Sequence, residues 1–396
     1  MTQRDGGTTL DRAAIALSRR GRVDAFLALD VLSAAGAIER AGGRVIHLEL
    51  GEPSAPPPRA AREAAIRALS GGPIGYTEAL GRASLRARIA RYYQDTHGVA
   101  VSPERIVATT GSSSAFVLSF LALFDVGARV LISSPGYPAY RNIMQALGIE
   151  AVPVATSAAS GHIVTAAMIE AAHAAKPLDG VLLMSPSNPT GVLTPPAELA
   201  AICATCDRLG VSFISDEIYH GLTYGARATT ALASSSRVVV VNSFSKYFCM
   251  TGWRIGWMVV PEELVRPIER LQQSLSISVP TLSQIAAEAA FDARDELEAV
   301  RAGYERNRAL LAAELPRLGF GKVHPMDGAF YAYVDVGDFT NDSIDFCRRM
   351  LVEAGVATTP GVDFDRENGQ RFIRISFAGA EADMRAAVEA IGKWLK

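Results

Sequence analysis

The feature that most constrains this chain is a series of short apolar runs, each closed by residues that strands rarely carry. Arg105 to Thr110, Arg129 to Ser133, Val181 to Met184, Val211 to Ser215 and Val238 to Asn242 are such runs, and helix-length segments separate them. Runs that are apolar throughout, rather than alternating, fit strands buried on both faces. With helical crossovers they predict an α/β domain whose mostly parallel sheet is covered by helices. Open sheets of this kind place ligands outside the carboxyl ends of their strands. The unusual residues of this sequence fall at those ends.

After Pro280 the pattern changes. A long helical stretch, about Leu282 to Leu318, leads to an alternating run, Ala329 to Val336. A helix over Ser343 to Ala354, a strand over Phe372 to Phe377 and a helix reaching Trp394 then complete a smaller α+β unit. At the other end, residues up to about Gly21 read as a mobile arm with one short amphipathic segment. A helix from Val31 to Ala41 stops at Gly42-Gly43, and a strand follows from Val45 to Leu50. Ser54-Ala55-Pro56-Pro57-Pro58 is a stiff connector, and Pro58 is placed to open a helix over Arg59 to Leu69. The expected division is residues 1–57 as arm and part of the small domain, 58–290 as the large domain, and 291–396 as the small C-terminal domain.

A net charge of −2 offers no basic footprint for nucleic acid or an anionic membrane. No apolar stretch is long enough to span a bilayer, and Met1 to Leu10 lacks the apolar core of a signal peptide. Four cysteines in 396 residues do not make a disulfide framework. A cytoplasmic protein is the expectation. Cys203 and Cys206 form a CxxC inside a predicted helix with no second pair nearby, which favours packing over metal or redox work. The histidines show no metal spacing.

Lys246, in Ser243-Phe244-Ser245-Lys246, lies just beyond the run ending at Asn242, with Arg254 eight positions on. A desolvated lysine, or one beside another cation, forms Schiff bases with carbonyls; a surface lysine on a loop is the alternative. Gly111 to Ser114 lead into a helix with three hydroxyls and free backbone amides, an anion site or an ordinary serine cap. No GxxxxGK[ST] and no strand-linked GxGxxG is present, so nucleotide readings lack support. Tyr137, after Pro135 and before Pro138, is a stiffly presented aromatic that could stack on a planar ring or pack as a turn residue. Asn188 sits before Pro189, where a cis bond could hold its amide in place. Asp216 ends an apolar run, so its carboxylate needs a partner such as a protonated ring nitrogen, unless it caps a helix. Tyr219 could reach the same ligand. Arg374, flanked by apolar residues in its strand, is expected to grip a carboxylate, either a ligand's or an internal one; Arg371 faces the other way and is solvated.

Taken together, these motifs resemble the fold-type I pyridoxal-phosphate enzymes and, within them, the class I/II aminotransferases. The resemblance runs from about Val45 onward. It rests on Gly51-Glu52-Pro53, Tyr76-Thr77, Ser187-Asn188-Pro189-Thr190-Gly191, Asp216-Glu217-Ile218-Tyr219, Ser243-Phe244-Ser245-Lys246, Gly252-Trp253-Arg254-Ile255-Gly256, Gly328-Ala329-Phe330-Tyr331 and Arg374. It implies a seven-stranded, mostly parallel sheet in the large domain and pyridoxal 5'-phosphate as cofactor. Lys246 then looks like the Schiff-base lysine and proton carrier. Asp216 resembles the partner of the pyridine nitrogen, and Asn188 and Tyr219 the partners of the phenolate oxygen. Tyr137 matches the aromatic stacked on the ring, and Ser112, Ser113, Ser243 and Arg254 match phosphate ligands. Tyr76 resembles a phosphate contact supplied by a neighbouring subunit, which implies a homodimer. Arg374 matches the clamp on the substrate carboxylate, with Asn188 beside it and Gly51 adding a backbone contact. Arg254 is on this reading a phosphate ligand, and any lowering of the Lys246 pKa comes mainly from the imine and its phenolate partners.

The implied reaction moves an amino group from an L-amino acid to a 2-oxo acid by a ping-pong mechanism. A β-eliminating lyase on the same cofactor is the alternative, and a non-enzymatic regulator with this domain is a remote one. About fifty residues precede Gly51, too few for a helix-turn-helix module plus the small-domain segment. Ser113 occupies a place where some acidic-substrate relatives carry a lysine, and Ala25 to Leu29, expected to cover the site, is apolar. A neutral, apolar or aromatic donor is therefore expected, with 2-oxoglutarate or pyruvate as acceptor.

Overall fold

A computed structural model describes residues 18–396, so most of the expected N-terminal arm lies outside the described residues. In chain order the strands are β1 (Ile46–His47), β2 (Ile106–Thr109), β3 (Arg129–Ser134), β4 (Glu150–Ala155), β5 (Gly180–Met184), β6 (Ser212–Asp216), β7 (Val239–Ser243), β8 (Gly256–Val259), β9 (Tyr331–Asp335), β10 (Val356–Ala357), β11 (Thr359–Pro360) and β12 (Phe372–Ser376). Seven of them form one sheet in the order β2-β8-β7-β6-β5-β3-β4. The ladders from β7 to β4 are parallel, whereas β8 runs antiparallel to both its neighbours. The mostly parallel α/β sheet is thus as expected, but β4 and the reversed β8 were not foreseen.

Burial explains the continuous apolar runs. Along β7, Val240 packs into the core on one face while Val239 and Val241 pack into the core on the other. Leu131 against Val130 and Ile132 repeats this in β3. Both faces are covered, so the middle of these strands leaves no position for a solvated side chain.

A second body holds the antiparallel sheet β11-β12-β9 and the parallel pair β1-β10. The expected strand over Val45 to Leu50 shrinks to β1, two residues paired with Val356 and Ala357. The first helix begins at Leu27 rather than Val31, because the Asp363 carboxylate accepts from the amides of Leu27 and Ala28 (3.3 and 3.4 Å). The long helix expected over Leu282 to Leu318 is two, Thr281–Ala290 and Arg294–Arg317. Phe291 turns into the aromatic cluster with Phe244, Phe248 and Trp257, which breaks the axis without a glycine or proline.

Candidate active site

The carboxyl ends of β2, β3, β5, β6 and β7 open on one side of the large sheet, and the expected site residues follow them. Lys246 lies three residues beyond β7, half-buried, and its Nζ donates to the Gly51 carbonyl at 2.5 Å. Burial lowers its pKa to about 8, with Glu52 acting against the shift and Arg374 and then Arg254 adding to it. The lowering expected from the cofactor's imine is therefore already begun by the protein itself.

Asp216 is the last residue of β6 and is 1% exposed. A turn follows it rather than a helix, so it caps none. Its carboxylate accepts from the Tyr140 hydroxyl at 2.5 Å and from the Ile218 amide at 3.1 Å. Burial pushes its pKa up to about 7 despite both bonds. Tyr219, also buried, shares a hydroxyl–hydroxyl hydrogen bond of 2.8 Å with Tyr331. Asn188 follows β5 with a cis bond to Pro189, and its Oδ1 accepts from Arg374 Nη1 at 3.1 Å.

Arg374 stands in β12 of the smaller body and is 3% exposed. Its Nη2 donates to the Glu49 carbonyl at 2.5 Å and to Thr359 Oγ1 at 3.2 Å. The guanidinium lies over the Tyr331 ring (4.4 Å) and the Phe364 ring (4.7 Å). Among the described residues it has no carboxylate partner, and its buried Nε has no hydrogen bond. The internal ion pair is thereby set aside. A buried guanidinium with donors to spare is a receptor for a carboxylate from outside. Arg371 is half exposed and lies 3.4 Å from Asp335.

An anion cradle forms where β2 meets the next helix. That helix starts at Gly111 rather than Ala115, so Ser112, Ser113 and Ser114 lie in its first turn, and the amides of Gly111, Ser112 and Ser113 have no intrahelical partner. Arg254 approaches so closely that a Cβ on residue 111 would stand 2.2 Å from its Nη2. Arg254 donates to the Thr251 carbonyl (3.1 Å) and has no carboxylate partner among the described residues. Ser243, 1% exposed, is turned inward, with its Oγ 3.1 Å from the Ile255 carbonyl and accepting from the Ser245 amide at 3.1 Å. Tyr137 precedes the helix Pro138–Leu147 and meets Tyr140 and Phe26 edge-on, at 5.3 and 5.8 Å. Phe26 lies in the apolar segment expected to cover the site. Tyr76 is not joined to this network and stands 82% exposed.

The donor set fits pyridoxal phosphate. A basic lysine of lowered pKa suits an aldehyde, a buried carboxylate without a cation suits a protonated ring nitrogen, and helix amides with Arg254 suit a phosphate. Sequence reasoning left Tyr140 and Tyr331 unassigned; the Gly328-Ala329-Phe330-Tyr331 motif was the signal for the second. Cys203 and Cys206 are buried in the helix Pro196–Leu209, where burial pushes both thiols up to about 12, which suits packing. His220 is buried against the His97 ring (5.3 Å), away from any solvated role.

A family model for aminotransferases of class I and II matches residues 43–391. A valine–pyruvate aminotransferase of Mycobacterium tuberculosis is 48% identical over 97% of this chain and 99% of its own. A crystal structure of an aminotransferase from the same organism superposes with a TM-score of 0.93 at 47% identity, covering 96% of this chain and 99% of that one. The aspartate aminotransferase of Thermus thermophilus with maleate gives a TM-score of 0.90 at 31% identity, over 96% and 99% of the two chains.

Proposed function

This chain belongs to the class I and II aminotransferase family and is a pyridoxal-phosphate-dependent aminotransferase, and we propose that its donor is a neutral, apolar or aromatic L-amino acid. Pyruvate or 2-oxoglutarate is the acceptor. The observation that carries the reading is Arg374, buried and without a carboxylate partner among the described residues, in one hydrogen-bonded network with Asn188 and Glu49. It serves one carboxylate. Phe26 against Tyr137 lends the site an apolar wall, and a relative named for valine and pyruvate supports the same class.

Bound pyridoxal phosphate supplies an aldehyde that takes up the amino group and a ring that accepts the electron pair left at Cα. The chain does the rest. Lys246 would hold the cofactor through Nζ and, as a neutral amine, would take the proton from the substrate Cα. Asp216 would keep the ring nitrogen protonated, Asn188 and Tyr219 would hold the phenolate oxygen, and Tyr137 would support the ring. Ser112, Ser113, Ser243 and Arg254 hold the phosphate; Ser243, turned inward, contributes through its loop. Arg374 binds the substrate carboxylate, and Gly51 adds a backbone contact. Transfer in two halves makes the kinetics ping-pong.

The enzyme works as a homodimer in which Tyr76 reaches the neighbouring site. Ile66, Leu69, Ile74, Tyr76, Leu275 and Ile277 are all exposed, a set of apolar side chains that a second copy would cover. Residues 58–290 form the cofactor-binding domain, and 1–57 with 291–396 form the small one, as the β1–β10 pairing supports. Among the described residues no helix is long and apolar enough to cross a membrane. The buried free cysteines suit the cytoplasm. A donor screen with pyruvate and with 2-oxoglutarate, read as kcat/KM, should rank valine, other apolar donors or aromatic donors above aspartate. Aspartate leading by far would refute the assignment.

A further inference from the structure

Tyr331, to which the mechanism gives no role, meets three residues that it uses: Arg374, Tyr219 and Gly51. It opens β9, directly across from Ser376 of β12, while Arg374 lies across from Tyr333. Tyr331 and Arg374 are thus diagonal neighbours on one face of that ladder, close enough for long side chains to meet. The guanidinium carbon of Arg374 sits 4.4 Å from the centre of the Tyr331 ring. The Tyr331 hydroxyl then reaches the Tyr219 hydroxyl at 2.8 Å, its one hydrogen-bond partner among the described residues. The same oxygen fills the space beside Gly51, where a Cβ would stand 1.9 Å from it. Gly51 in turn accepts from Lys246 Nζ. Tyr331 is 1% exposed, so water does not compete for these contacts.

We propose that Tyr331 is a positioning residue that joins the carboxylate clamp to the cofactor's phenolate partner, its ring supporting Arg374 and its hydroxyl orienting Tyr219. The inference rests on the roles given above to Arg374 and Tyr219. In the loaded enzyme Tyr219 spends its proton on the phenolate oxygen, so Tyr331 donates to the Tyr219 oxygen. A hydroxyl that accepts one bond donates the next more strongly. The ring acts separately: a cation held over an aromatic face loses less freedom when its carboxylate arrives, and the attraction is larger where water is excluded. A side chain at residue 51 would begin where the oxygen that orients Tyr219 stands.

Two substitutions separate the two duties. Tyr331→Phe keeps the ring and removes the hydroxyl; Tyr331→Leu removes both. The first readout is the pH titration of the visible absorbance of the lysine-bound cofactor, with no substrate present. Weaker donation from Tyr219 disfavours the unprotonated form, so in Tyr331→Phe the midpoint should move up by about 0.3 to 1 unit. In a Tyr219→Phe background the same change should move it no further, since the hydroxyl then has nothing to orient. The second readout is the Kd of 2-methylpropanoate, a carboxylate that cannot react, measured by calorimetry. Tyr331→Phe should leave it within twofold, whereas Tyr331→Leu should weaken it about three- to tenfold. If the leucine variant does not fold, Tyr331→Met removes the ring at nearly constant volume and is read the same way.

A wild-type midpoint in Tyr331→Phe, or a shift that persists undiminished without the Tyr219 hydroxyl, overturns the inference. So does wild-type carboxylate binding in the ring-less variant. Controls keep the underlying reading distinguishable. If Tyr219→Phe alone fails to move the titration, or Arg374→Leu fails to weaken the carboxylate, the roles of Tyr219 or Arg374 are wrong. If both controls respond and the Tyr331 variants do not, only the inference fails.

Discussion

Replacing Tyr140 by phenylalanine removes one oxygen and leaves the ring in its place against Phe116 and Tyr137. What is lost is the 2.5 Å bond to Asp216. A hydroxyl holds an ionised carboxylate by about 1.5 to 3 kcal/mol and a neutral acid by about half that, so the ionised form loses roughly 1 to 1.5 kcal/mol more. That difference is about one pKa unit, which carries the Asp216 carboxyl from about 7 to roughly 8. The sign for stability follows. Asp216 titrates higher in the folded chain than the ordinary 3.8 of the unfolded one. Stability from this group is therefore lost as pH rises from about 4 to the folded pKa, and is level above it. In Tyr140→Phe the loss continues for about one further pH unit. The variant's deficit in unfolding free energy, read by urea denaturation of cofactor-free protein, should be about 1 kcal/mol larger at pH 9 than at pH 5. The cofactor's ring nitrogen would supply Asp216 with a cation and shrink this difference. Equal deficits at the two pH values would refute the reasoning, because a purely packing defect has no reason to titrate.

Further outcomes are expected at other positions. Lys246→Ala should lose both turnover and the visible absorbance of covalently held cofactor, and retention of either would refute its role. Capture of added pyridoxal phosphate by cofactor-free protein should speed up with pH and level off above about 8, because the neutral amine is the nucleophile and burial has lowered its pKa to that value; stopped-flow absorbance measures this. Arg374→Lys exchanges a fork for a point charge and should raise KM for the amino donor about ten- to a hundredfold, checked by steady-state kinetics. Gly111→Ala meets both a left-handed backbone, φ +70°, and the Arg254 guanidinium at 2.2 Å. It should release cofactor faster on dialysis than the wild type.

The parts of this fold that were legible were those where one physical demand acts along a few consecutive residues. Strands buried on both faces must be apolar throughout, so β3, β5, β6 and β7 could be read to within a residue or two. β8 could not, because its direction depends on which neighbours it meets, and nothing in Gly256 to Val259 encodes that. The helix break at Phe291 escaped for a related reason. Periodicity continues on both sides, and the aromatic pocket that bends the chain is assembled from Phe244, Phe248 and Trp257, far away in sequence. Among site residues, Lys246, Asp216 and Arg374 stood out because a charge in an apolar run is costly without a purpose. Tyr140 and Tyr331 did not, since a tyrosine among apolar neighbours is ordinary and only the fold reveals what its hydroxyl meets.

The Glu49 carbonyl accepts from Thr359, 310 residues away, and from Arg374, 325 residues away. During synthesis this has a direct consequence. At roughly 5 to 20 residues per second, Glu49 leaves the ribosome some 15 to 60 seconds before its partners exist. The central sheet, complete once Val259 has emerged, can condense in that interval, while β1 and the buried Leu48 beside it wait without neighbours. The carboxylate clamp is thus the last part of the site to be assembled. A nascent chain halted before Thr359 would hold the lysine, the aspartate and the phosphate cradle, yet have no arginine with which to hold a substrate.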